Sequence, residues 1–83
     1  MIMAWQLQEN RKMANVLHEE GYSFEIDKNG YTVRHKGTFL EGARVKLPRE
    51  YPLRGGQIQE NIRYHFQQCV IIALRHRAER KSA

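Results

Sequence analysis

The spacing of apolar residues changes twice along the chain, and each change marks an element. Near the N-terminus the period is helical. On a wheel of 100° per residue, Ile2, Trp5, Met13, Ala14, Val16 and Leu17 share one broad face, and Gln8, Arg11, Lys12, Asn15 and Glu19 lie outside it. This predicts a helix over about 5–20. Gly21 stands where a terminating glycine takes a positive φ. From Tyr22 the period becomes two. Tyr22, Phe24 and Ile26 face one way, and Ser23, Glu25 and Asp27 the other. The run Asp27-Lys28-Asn29-Gly30 reads as a tight hairpin turn. Strands are therefore expected at about 22–27 and 31–36. Gly37 to Gly42 is expected to be a turn or loop carrying Phe39 and Leu40, with a third strand at about 43–47. Pro48, Pro52 and Gly55-Gly56 close the sheet region. The helical period then returns over about 57–80. Ile58, Ile62, Phe66, Cys69, Val70, Ile72, Ala73 and Leu74 occupy an arc of roughly 200°, with His65 and His76 in its middle.

The predicted architecture is α+β in the order α-β-β-β-α, one small domain over 1–83. It is a two-layer sandwich in which a three-stranded antiparallel meander is covered on one face by two helices. The opposite sheet face is then left to solvent. Its outward residues are Ser23, Glu25, Asp27, Thr32, Arg34, Lys36, Arg44 and Lys46, where Glu25 can pair with a base across the strands and Arg44 and Lys46 are expected to remain largely unopposed.

The length, 83 residues, allows one modest core. With 41% hydrophobic and 28% charged residues the chain is too apolar for a disordered segment. The net charge of +5 turns attention to acidic partners, nucleic acid first among them. The single cysteine, Cys69, permits no internal disulfide and suits a reducing compartment, the cytoplasm. The opening residues MIMAWQLQENRK lack the charge and apolar length of a secretory signal. No apolar run approaches the ~18–20 residues of a membrane span, so no membrane partner is expected.

The candidate chemistry is sparse. On the open sheet face, Arg34, Lys36, Arg44 and Lys46, with Arg54 at the margin, form a row suited to phosphate contacts with little base specificity. The same row serves equally as a solvated surface whose charges discourage edge-to-edge association. No aromatic is expected beside these cations, which argues against base stacking. Arg54-Gly55-Gly56 places backbone N–H groups near a base ahead of a helix but lacks the spacing of a nucleotide loop. His65, Cys69 and His76 share a stripe of the last helix, yet that stripe faces the core and no second cysteine completes a metal set. No catalytic residue, metal or cofactor is assigned. Tyr64 and Ile71, with Leu74 at the edge of the apolar arc, form a candidate self-association patch on the far side of that helix. The tail RHRAERKSA is basic, which suits both the helix dipole and phosphate contact.

The element order is similar to that of the double-stranded RNA-binding domain, a likeness of topology that covers most of the chain. That family carries a lysine-rich motif at the start of its second helix. Here the position reads Gly55-Gly56-Gln57-Ile58-Gln59-Glu60, without lysine, so none of the family's RNA-contacting residues carries over.

Two functions follow as expectations. The first is a small basic accessory protein, not an enzyme, that associates with nucleic acid through the basic sheet face. The second is a protein-interaction module or small regulator or inhibitor acting through the last helix or the sheet edge, with a homodimer as one form.

Overall fold

The structure is a computed structural model that describes residues 4–44 and 55–82, with the side chains of 4–7 and 55 outside the description. Helix α1 (Ala4–Glu19) leads into β1 (Tyr22–Asp27), β2 (Gly30–His35) and β3 (Thr38–Arg44), and helix α2 (Gly55–Ser82) follows. The α+β order and the antiparallel sheet β1-β2-β3 match the periodicities. Ile2, Lys46, Leu47 and Arg54 and the side chain of Trp5 lie outside the described residues.

Period-two segregation sets the layers. Tyr22 pairs with His35, Phe24 with Val33 and Ile26 with Tyr31, so their side chains share the face that meets the helices. Leu17 and Ala14 of α1 and Cys69, Val70, Ile72 and Ala73 of α2 close over Tyr22 and Val33 as one buried cluster. Phe24, Tyr31, Phe66 and Leu74 pack around it half-buried. Val16 and Ile62 belong to the predicted apolar faces but emerge exposed, because those faces are wider than the sheet they cover.

The polar anchors are specific. His65 is buried, and its Nδ1–H donates to the Asp27 carbonyl at 2.8 Å. His18 Nδ1–H donates to the Tyr22 carbonyl at 2.8 Å. These bonds satisfy ring nitrogens and strand carbonyls that burial would otherwise leave costly. Gly21 ends α1 with φ +99°, and its carbonyl accepts the Lys36 N–H at 2.8 Å.

Both hairpins differ from their sequence reading. In the first, Lys28 and Asn29 form a two-residue turn, and neither Asn29 nor Gly30 has a positive φ. The Asp27 carboxylate holds the turn by accepting Asn29 N–H at 2.7 Å and Gly30 N–H at 2.9 Å. Gly30 is required for space: a Cβ there would overlap the Ala43 carbonyl of β3. In the second, His35 pairs with Thr38 across Lys36 (φ 50°) and Gly37 (φ 84°). Two positive φ values at a two-residue turn give the twist that a hairpin needs. Lys36 is thus a turn residue, not an outward residue of β2. β3 begins at Thr38, not Ala43, and absorbs Phe39 and Leu40, which the sequence assigns to a loop.

The register slips once. Val33 pairs with Glu41 but Arg34 with Phe39, so Leu40 is the extra residue of a β-bulge. The bulge turns Leu40 and Glu41 toward the helix side and leaves Phe39 on the open face.

Candidate functional site

Three places bring functional side chains together. The first is the open sheet face. Arg34 forms an ion pair with Glu25, its near neighbour across the strands, and Arg44 Nη1 lies 3.0 Å from Asp27 Oδ2. Glu25, Arg44 and Asp27 are largely exposed and Arg34 partly so, and each pair is worth about 0–1 kcal/mol. Hydrogen bonds from Asn29 first, then from the Arg44 guanidinium, hold the Asp27 carboxyl below its ordinary range. Of the four cations the sequence places here, Arg34 and Arg44 are each balanced by a local acid. Lys36 is displaced to the turn, and Lys46 lies outside the described residues. Phe39, 59% exposed, stands opposite Arg34 with its ring edge 3.5 Å from where a Cβ on Gly42 would sit. The sequence reading expects no outward aromatic here. The bulge that creates one has no signature in residue spacing.

The second place is the cleft beside β3. α2 crosses β1 and β2, and α1 packs on β1 and on α2, whereas beneath β3 it is Leu40 that reaches the core, half-buried. A cleft of about 150 Å3 opens there, lined by Leu40 and Glu41 of β3 and by Ile72, Arg75, His76 and Glu79 of α2. On the outer side of α2, Tyr64 is 53% and Ile71 38% exposed, one above the other at i and i+7. Leu74, the third predicted patch residue, is half-buried and packs on the core.

The third place is the end of the sheet where α1 stops. Tyr22, His35, His76 and Arg80 meet there, with Lys36, His18, Glu20 and Arg77 around them. Arg77 Nε pairs with Glu20 at 3.0 Å. The sequence gives no signal for this group, because its members lie on four elements and come together only through the register.

The cysteine and histidine stripe does not act as one site. Cys69 is fully buried, and burial pushes its thiol up to about 12, far from thiolate chemistry at neutral pH. His65 Nδ1 is engaged by Asp27, and His76 Nδ1 by the Tyr22 hydroxyl at 2.7 Å. Among the described residues, no group of three or more His, Cys, Asp or Glu stands close enough to hold a metal ion, and no helix is long and apolar enough to cross a membrane.

Compared with family models, with curated proteins and with solved structures, the chain matches none.

Proposed function

We propose that the chain is a non-enzymatic protein-interaction module and that its partner is a second copy of itself, docked along the outer side of α2 and under β3. The observation that carries this reading is the position of the helices, which cover β1 and β2 and leave the underside of β3 beside an open cleft. A symmetric pair needs a surface complementary to itself. Here Arg75 shares the cleft with Glu41 and Glu79, and among the described residues no carboxylate lies within ion-pair distance of it. In a symmetric pair Arg75 of each copy gains the acids of the other as partners. Tyr64 and Ile71 supply the apolar centre, gaining about 25 cal/mol per Å2 of apolar surface removed from water. The single cysteine suits work in the cytoplasm.

The test compares Ile71→Asp with Ile71→Leu. The aspartate places a charge at the centre of the seam. It should remove the concentration dependence of the thermal midpoint, while leucine preserves it. A midpoint independent of concentration in the parent chain refutes the pairing.

Phe39 favours a second reading, single-stranded nucleic acid on the open sheet face. An exposed aromatic opposite Arg34, on the face that also carries Arg44, offers a base one stacking platform and two phosphate contacts. Phosphates must compete there with Glu25 and Asp27, so the affinity is modest and falls steeply with salt. Titration of a single-stranded oligonucleotide at low and physiological salt checks it. Phe39→Ala should weaken binding about five- to a hundredfold, the worth of one stacked base. No binding at low salt rejects this reading.

A further inference from the structure

At the sheet end the Tyr22 hydroxyl is hydrogen-bonded with His76 Nδ1 at 2.7 Å and accepts from Arg80 Nη1 at 3.4 Å. His35 Nε2 is contested. It lies 3.1 Å from the Glu20 carbonyl oxygen and 3.2 Å from Arg80 Nη1. A neutral ring nitrogen either donates to the carbonyl or accepts from the guanidinium, never both. One of the two contacts is therefore made without a hydrogen bond. The charges are unbalanced as well. Arg34, Arg44 and Arg77 each have a carboxylate, whereas among the described residues none lies within ion-pair distance of Arg80 or Lys36. The aliphatic stem of Lys36 lies against Gly21, and the turn holds its backbone beside His35.

We propose that Arg80, Lys36 and His35 form a binding site for a phosphate-class oxyanion, either free phosphate or a phosphomonoester. The oxyanion accepts from the guanidinium and the ammonium, the pairing these groups make best. Arg80 then turns from His35 toward the ligand. His35 takes up a proton from solvent, its Nε2–H donates to the Glu20 carbonyl, and the conflict at that nitrogen disappears.

The surrounding groups set the sign of the pH dependence. From α1, the Glu20 carboxylate is held by Arg77, and His18 is turned to the Tyr22 carbonyl. From β1 comes Tyr22, from the turn Lys36, and from α2 His76, Arg77 and Arg80. Glu41 and Glu79 lie beyond His76, lining the β3 cleft. In the empty site, partial burial first, then Arg80, His76 and Lys36, hold the His35 pKa below its ordinary 6.5, against the raising effect of the Glu20 carbonyl. A bound dianion opposes those cations, so it raises the His35 pKa, and by linkage the protonated ring binds the dianion more tightly than the neutral ring does.

NMR titration of the His35 ring with inorganic phosphate, against sodium chloride at equal ionic strength, tests the site. Phosphate should raise the His35 pKa saturably, toward or above about 6.5, and chloride should not. Arg80→Gln and Lys36→Gln should each remove the phosphate response, while Arg34→Gln retains it. O-phosphoserine serves as the ester probe; tighter binding than phosphate assigns the site to a phosphomonoester, and equal or weaker binding to the free ion. An equal response to chloride, or a phosphate response that survives both substitutions, overturns the proposal.

Discussion

Lys36 carries a left-handed backbone, φ 50°, in a side chain type that disfavours it. The strain is local, at about 1 kcal/mol. Lys36→Asn, which tolerates that region, should raise stability by up to about 1 kcal/mol, read as a higher urea midpoint at unchanged slope. A lower midpoint contradicts the turn geometry. The residue was legible in the sequence only as a cation, because Lys-Gly is a weaker turn signal than Asn-Gly. The stronger signal, Asn29-Gly30, marked its hairpin correctly but for a different reason. The Asp27 carboxylate closes the turn, and Gly30 makes room for Ala43. His35 sets a pH dependence at the same scale. Its folded pKa lies below the unfolded value, so the unfolded chain binds more protons. The stability it contributes is complete above about pH 6.5 and is lost as the pH falls through the folded pKa. Melting curves from pH 7.5 downward, compared between the parent and His35→Gln, should show this loss in the parent alone.

The long periodic segments were the legible elements, since burial of one face forces both the helical and the period-two repeats. α1, β1, β2 and α2 all fall where the periods change. β3 resisted because its bulge breaks the alternation: Leu40 reaches the core while Phe39 beside it stays on the open face. Arg34 and Arg44 were legible as outward, and Glu25 as a partner for a base across the strands, but Arg44 was expected to stand unopposed and is instead paired with Asp27. That pairing depends on the register of Glu25 and Asp27 against β2 and β3. Hydrogen exchange separates the strands. Amides of β2, bonded on both sides and covered by α2, should be the most protected. The outer amides of β3 should exchange fastest in the sheet when the protein is dilute, and slow down when it is concentrated enough to pair. Equal protection of β2 and β3 at every concentration contradicts the exposed position of β3.

For the molecule as a whole, one small core must support the fold. Leu17 is fully buried between α1, the sheet and α2, and Leu17→Ala should cost about 2–5 kcal/mol. A domain of this size has only a few kcal/mol to lose, so the variant should be largely unfolded at 37 °C by circular dichroism. The same shortage of buried surface gives physical weight to pairing, which covers Ile71, Tyr64 and the β3 cleft together. Sedimentation equilibrium over micromolar to millimolar concentrations is the most direct measurement of that claim. The account predicts a mass rising from 9.9 kDa toward twice that value, and a return to 9.9 kDa at all concentrations in Ile71→Asp. A parent chain that remains at 9.9 kDa throughout contradicts it.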